Sequence, residues 1–398
     1  MNKKNIIYTG AFRFPFGDPA APRVLNNAKI FKKLGYNVIF ICWGGIPQDE
    51  DKHEDGSFYY QGFRYINSYD IDIKQNNLIK RIYSFFLYGR NSLKIIEQMI
   101  NDVAFVIGYN PPMIFSNSIL KLCRKNNIPF ISDITEWHSS NEFPGGKLAL
   151  PAWINELNMR FIQKRVGNKI VISSFLYNYY CLSNNILLPP LVDSNEPKWQ
   201  NNKLKLPYFD GVRLIYAGAP AKKDLLYTIL DAVIECIKRK IKLQFIILGI
   251  SKDNIFRYEK YNEVLSMSEN ILLLGRIPQN EVPAYYKNSD FSIIIREKNR
   301  KSMAGFPTKL AETMMSGCPV ILNYTSDISD YVHDGYNGIV VIDDSSTELQ
   351  KSLLHIVTLS KEEKDLMKRN AIKCAFEKFD YSNYIYCMER FIKKTNYY

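Results

Sequence analysis

Residues 305–320 read Gly-Phe-Pro-Thr-Lys-Leu-Ala-Glu-Thr-Met-Met-Ser-Gly-Cys-Pro-Val, and the order of residue types in this stretch decides the fold. Pro307 suits the first turn of a helix, where its missing N–H goes unused. The spacing that follows predicts a helix over 308–316 that stops at Gly317. Val320-Ile321-Leu322 then reads as a buried strand. Such a helix start leaves N–H groups and a positive dipole end near 305–308, a ready place for a phosphate. Lys309 and Glu312 lie three apart and share one helix face. A cation beside the anion site, with a carboxylate one turn deeper, suits a diphosphate followed by a ribose diol. The competing reading is an exposed ion pair on an ordinary helix. Glycine, proline, lysine, glutamate and the following Gly-x-Pro-Val must all be explained together.

Working outward, the second half alternates strand and helix patterns. Strands are expected over 213–217, 243–248, 271–274, 291–295 and 337–341, with helices over 225–238 and 279–288 between them. Cations stand where strands feed into loops. Lys222 and Lys223 follow the first of these strands, and Arg296 opens the long loop 296–308. Several cations at successive strand ends, beside a helix N-terminus, would stabilise a diphosphate when bound and as it departs.

The first half has the same grammar. A strand over 5–11, a loop with Gly10, Gly17 and Asp18, a helix over 20–34 and a strand over 37–43 make a βαβ start. No Gly-x-Gly-x-x-Gly fingerprint accompanies it. Gly17, Asp18 and Arg23 are candidates for an acceptor or phosphate loop, with a plain structural turn as the alternative. A β segment over 58–69 and a long helix over 77–100 follow. That helix sets Lys80, Arg81, Arg90 and Lys94 beside Phe85, Phe86, Leu87 and Tyr88. It reads either as a core-facing amphipathic helix or as an anchor to an anionic bilayer. A strand over 103–108, a helix over 115–124 and a strand over 129–133 come next. The last runs into Asp133-Ile134-Thr135-Glu136-Trp137-His138, placing Asp133, Glu136 and His138 where catalytic groups of an α/β crevice stand. A structural histidine beside an aromatic is the alternative. A helix over 151–166, a strand over 169–173 and a short helix over 175–182 complete this half. Residues 187–211, proline-rich and polar, read as a linker.

Two α/β domains, each a parallel sheet covered by helices, fit the 398 residues. The expected division is 1–190, a linker 191–210, 211–378, and a terminal helix over 379–398. No apolar run reaches membrane-span length, and the N-terminus leads straight into a strand, so a cytoplasmic chain is expected. The seven scattered cysteines and four dispersed histidines show no metal-ligand spacing, and no metal or cofactor is expected. The net charge of +12 favours anionic partners. Its even spread argues against a nucleic-acid binder.

With these residues in view, the chain resembles glycosyltransferase family 4, whose members have the GT-B fold: two Rossmann-like α/β domains facing a central cleft. Gly305–Ile321 carries most of the resemblance, supported by 216–226 (YAGAPAKKDLL), 333–341 (HDGYNGIVV) and 17–24 (GDPAAPRV). The resemblance implies a retaining enzyme that moves a sugar from a nucleoside-diphosphate sugar to a saccharide or lipid-linked acceptor. The Lys-, Asn- and Ile-rich composition reads as bacterial, and a cytoplasmic role in surface polysaccharide assembly, at the inner membrane face or off it, is expected with it. It implies Glu312 on the ribose hydroxyls, Lys309 and Lys223 or Lys222 on the diphosphate, and the Thr308 N–H on the same phosphates. Arg296, Gly305 and Phe306 complete the expected donor set. Two positions depart from the family pattern: Ala304 stands where many members carry a glutamate, and Ala219 where many carry an arginine. A GT-B sugar-nucleotide epimerase and a non-catalytic nucleotide-sugar-binding partner are the alternatives.

Overall fold

The computed structural model describes residues 4–44, 53, 56–70, 88–143, 145–201, 204–218 and 224–395. The chain divides into two units, residues 1–191 with 381–398, and residues 192–380. Each is a Rossmann-like α/β unit, as the alternation of patterns predicts.

Among the described residues the first unit has eight strands: β1 (Asn5–Arg13), β2 (Asn37–Gly44), β3 (Phe58–Tyr60), β4 (Phe63–Asn67), β5 (Val103–Tyr109), β6 (Phe130–Ile134), β7 (Asn168–Val171) and β8 (Asn184–Leu187). Their order across the sheet is β3-β4-β2-β1-β5-β6-β7-β8. All pairings are parallel except the β3–β4 hairpin. Strand periodicity sends alternate side chains to opposite faces. Ile6 and Tyr8 join a layer with Val24, Phe31, Met388 and Phe391, while Ile7 joins one with Ile96, Phe115 and Ile119. Helices cover both faces, which is why the strands read as continuous apolar runs.

The described residues of the second unit form six strands: β9 (Val212–Ala217), β10 (Leu243–Leu248), β11 (Ile271–Gly275), β12 (Phe291–Ile294), β13 (Val320–Asn323) and β14 (Gly338–Val341). The order is β11-β10-β9-β12-β13-β14, parallel throughout. Leu214 and Tyr216 face one layer and Ile215 the other. The helix of the opening stretch runs Thr308–Met315. Gly317, at φ +72°, ends it in a conformation that L side chains rarely adopt.

Several expected elements differ. The β segment over 58–69 is a hairpin turned at Gln61 and Gly62, both with positive φ. Residues 151–166 are three pieces: an α-helix Leu150–Leu157, a π-helix Asn158–Ile162 and a 3-10 turn Gln163–Arg165. The wider turn aligns Asn158 and Gln163, and both amides donate to the Pro111 carbonyl, at 3.0 and 3.3 Å. Part of the stretch 187–211, read as a linker, is packed: Val192 is buried and its N–H donates to the Phe379 carbonyl at 2.9 Å. Trp199 is buried there and donates to the Asp193 carbonyl at 2.6 Å. Of the long helix over 77–100, the described part is Arg90–Met99; Lys80, Arg81, Phe85, Phe86 and Leu87 lie outside the described residues.

Arg23 and Asp133, expected in an acceptor loop and a catalytic group, are instead bonded to each other in the core of the first unit. Arg23 is 3% exposed and Asp133 0%. The guanidinium meets the carboxylate at 2.6 Å and donates to the Leu188 carbonyl at 3.1 Å. The Tyr8 hydroxyl also donates to Asp133, and burial raises its phenol well above the ordinary value, which keeps the donor protonated. This network ties β1, the first helix, β6 and the segment after β8. Removing Arg23 would strand a buried carboxylate, a loss of about 3–5 kcal/mol. Arg23→Ala is therefore expected to unfold at markedly lower denaturant concentration by circular dichroism; an unchanged midpoint would assign Arg23 to ligand contact instead.

Candidate functional site

In the second unit the sheet reverses its building order at β9, which lies between β10 and β12. Ligands of open α/β sheets collect beyond the C-terminal strand ends at such a reversal. Beyond β9 the described chain resumes at Asp224, and beyond β12 it reaches Arg296. These two residues pair as an isolated antiparallel bridge, with the Leu225 N–H donating to the Ile295 carbonyl at 2.9 Å. The helix Thr308–Met315 brings Lys309 to the same point.

Asp224 joins them. Its Oδ1 accepts from Arg296 Nε at 2.8 Å, and its Oδ2 accepts from Lys309 Nζ at 2.5 Å and from the Tyr216 hydroxyl at 3.0 Å. Burial alone would raise the Asp224 carboxyl. The two cations and their hydrogen bonds outweigh burial and hold it well below the ordinary carboxylate range. The Lys309 ammonium also lies 4.3 Å from the centre of the Tyr216 ring. Gly218 leaves room for it, since a Cβ at that position would fall 2.3 Å from Lys309 Nζ. Arg296 is fixed through its backbone as well: its N–H donates to Asn323 Oδ1 at 2.9 Å, and its carbonyl accepts from Asn323 Nδ2 at 2.7 Å.

The helix carrying Lys309 has no side-chain cap at its N-terminus. The Gly305 N–H is used by the Lys301 carbonyl at 2.8 Å, and Pro307 has no N–H. Thr308 stands in the first turn, where backbone N–H groups have no partner within the helix. Phe306 is a packing residue, buried edge-on against Tyr331 with ring centres 5.3 Å apart. Glu312 is half-buried. Burial raises its carboxyl, Lys198 opposes that rise and Glu196 adds to it, and Gln279 donates a hydrogen bond to it. Lys198 and Glu196 are themselves paired at 2.6 Å. Ala304 is wholly buried at the end of a short helix, Arg300–Ala304, that the loop reading of 296–308 missed. Lys222, Lys223 and Ala219 lie outside the described residues.

The residue whose role sequence reasoning missed is Asp224. A carboxylate directly after two lysines reads as a solvated charge, and only the β9–β12 neighbourhood shows that it faces Arg296 and Lys309.

In the first unit, Glu136 and His138 stand together while Asp133 is withdrawn into the core. His138 Nε2 lies 3.5 Å from Glu136 and Nδ1 lies 3.1 Å from Glu142. Both residues line a cavity of about 210 Å³ with Asn110, Asn155 and Phe143. Asp18 accepts from the Arg13 and Ala20 N–H groups at 2.7 and 2.8 Å and so shapes the turn into the first helix. Gly17, at φ +117°, precedes it.

Residues 211–373 match the family model described as glycosyl transferases group 1. The matched residues lie within the second unit. Alpha-monoglucosyldiacylglycerol synthase of Acholeplasma laidlawii is 24% identical over 197 residues, 48% of this chain and 47% of that protein. The chain spans about half the length of the curated relatives it matches. Sucrose-phosphate synthase of Thermosynechococcus elongatus superposes with a TM-score of 0.72 at 14% identity, over 98% of both chains. Anabaena HepE in complex with UDP-glucose superposes with a TM-score of 0.70 at 12% identity, over 98% of this chain and 99% of that one. These likenesses identify the fold class as GT-B.

Asp224→Asn removes the charge that both cations share. Because the folded carboxyl lies below its unfolded value of ~3.9, its stabilisation is fully present above that value and fades as pH falls through the folded one. The variant is expected to lose about 3 kcal/mol at neutral pH, with the gap to the parent closing below about pH 4. Denaturant titrations across pH measure this; a gap that does not vary with pH would contradict the charge-sharing account.

Proposed function

We propose that the chain transfers a sugar from a nucleoside-diphosphate sugar to a saccharide or lipid-linked acceptor, with retention at the anomeric carbon. The observation that carries this reading is the cluster of Lys309 and Arg296 on Asp224 at the β9–β12 reversal, one helical turn from Glu312. The group 1 match over the same unit supports it. The name of the Acholeplasma synthase supports a lipid acceptor and the HepE complex supports a nucleotide-sugar donor. A role in bacterial surface polysaccharide or glycoconjugate assembly at the cytoplasmic side belongs to the same proposal.

In the proposed reaction the acceptor hydroxyl oxygen bonds to the anomeric carbon as the bond from that carbon to the diphosphate oxygen breaks. The hydroxyl proton passes to the departing diphosphate on the same face. Negative charge therefore grows on the diphosphate, where fixed cations and helix N–H groups act most strongly. Lys309 and Arg296 supply charge, Thr308 a backbone donor, and Glu312 accepts from the ribose diol. Lys222 and Lys223, which the family resemblance puts on the diphosphate, belong to the same proposal. Glu136 and His138 flank the cavity of the first unit as groups for an acceptor. No metal ion takes part in this scheme.

The buried Ala304 favours one second reading, a nucleotide-sugar-binding partner without turnover, because a carboxylate toward the donor sugar is absent at that position. The epimerase reading loses Asp133 to the core.

Glu312→Gln keeps the shape and removes the charged acceptor. Nucleotide affinity and donor turnover are expected to fall about 100-fold or more, from two charge-assisted hydrogen bonds weakened together, with the melting temperature kept. Burial raises the Glu312 carboxyl, so the parent's affinity should weaken on acidification from above the ordinary glutamate value of ~4.3, and the variant's should not. Calorimetry with uridine, guanosine and adenosine diphosphate sugars, beside a hydrolysis assay, reads both. Unchanged kinetics in Glu312→Gln would sink the site, while tight nucleotide binding without turnover across donors and acceptors would select the second reading.

A further inference from the structure

Between residues 147 and 165 the first unit presents a face that its own core does not explain. Leu148, Leu150, Trp153, Leu157 and Phe161 are all exposed, Trp153 at 60% and Phe161 at 61%. From Leu150 onward they recur at spacings of three and four along the α-helix Leu150–Leu157 and the π-helix Asn158–Ile162, which is one side of a helical rod. The opposite side, Ala152, Met159, Gln163 and Val166, is buried. The rod is therefore anchored along one side, and its outward side is apolar.

Cations border the outward side. Lys147, Arg160, Lys164 and Arg165 are exposed. Arg160 lies 5.5 Å from the Trp137 ring centre and Lys164 4.8 Å from that of Tyr179, so aromatic faces hold both charges near the stripe. The acidic residue within the rod, Glu156, bonds Arg160 at 2.8 Å and Trp137 at 3.2 Å and is half-buried. A row of leucine, tryptophan and phenylalanine with lysine and arginine beside it matches a bilayer's interface, with hydrocarbon beneath and anionic headgroups above. A saccharide would find no hydrogen-bonding groups on Leu148 or Leu150. A second copy of the chain would have to offer acids against four cations. Among the described residues no helix is long and apolar enough to cross a membrane.

We infer that the face formed by Leu150, Trp153, Leu157 and Phe161, flanked by Lys147, Arg160, Lys164 and Arg165, docks the chain on the surface of an anionic membrane. The docking stands independently of sugar transfer, because none of these residues belongs to the proposed donor site.

The test uses the full chain and vesicles of phosphatidylcholine, alone or mixed with phosphatidylglycerol, scored by co-sedimentation. The parent is expected to partition onto the mixed vesicles, and less so as salt is raised. Trp153→Ser with Phe161→Ser, and separately Lys164→Glu with Arg165→Glu, should each weaken partition about 10-fold or more. Ile342→Ser, at an exposed apolar position of the second unit, should leave it unchanged. Circular dichroism checks that every variant keeps its fold. Failure of the parent to bind mixed vesicles, or equal binding by both double variants, would overturn the inference. So would a dimer seen by sedimentation velocity that Trp153→Ser with Phe161→Ser abolishes, since that would make a second copy the occupant.

Discussion

One buried carboxylate organises the second unit's candidate site. Asp224 has a partner on each oxygen, Arg296 on one and Lys309 with Tyr216 on the other. Each cation comes from a different part of the chain: Arg296 from just beyond β12 and Lys309 from the helix Thr308–Met315. A lysine and an arginine placed side by side would repel each other, and a carboxylate between them removes most of that repulsion. The arrangement also fixes where the ammonium sits. It lies over the Tyr216 ring, in space that the absent side chain of Gly218 leaves open. Pre-placed charge of this kind needs no reorganisation when an anion arrives, which is the condition for strong electrostatic stabilisation.

The first unit contains a comparable ion pair with a different physical outcome. Arg23 and Asp133 are closed off on all sides, with side-chain exposures of 2% and 0%. The Lys309 side chain keeps 23% exposure while bonded to an Asp224 side chain at 4%. Residue types in the two clusters are similar, so composition does not separate them. Exposure does: a fully enclosed pair fastens strands and helices, while a pair with one open cation can meet a ligand.

This contrast marks what was legible in the sequence. The Thr308–Met315 helix, its glycine stop and β13 follow from local chemistry, because proline, glycine and apolar spacing act within one turn. The parallel order of most strands follows from strand–helix alternation. Arg23 and Asp133 are 110 residues apart, and Lys309 is 85 from Asp224; no periodicity reaches across such separations. Asn299 and Ser302 did carry a local signal, since they form a capping box for Arg300–Ala304 that the basic run around them disguised. The helices Ser346–Thr358 and Lys361–Lys378 are likewise announced by Ser345 and Ser360, each with a glutamate three residues on. The π-helix at Asn158–Ile162 had no such signal, because the Pro111 carbonyl that it serves comes from another part of the chain.

The central claim is that Asp224 holds Lys309 ready for a diphosphate. The most direct measurement is the calorimetric affinity of a nucleoside diphosphate set against that of the bare nucleoside, in the parent chain and in Lys309→Ala. The account predicts that the diphosphate adds about 10-fold or more to affinity in the parent, that Lys309→Ala loses most of that increment, and that nucleoside affinity is the same in both. An equal increment in the two proteins would contradict it.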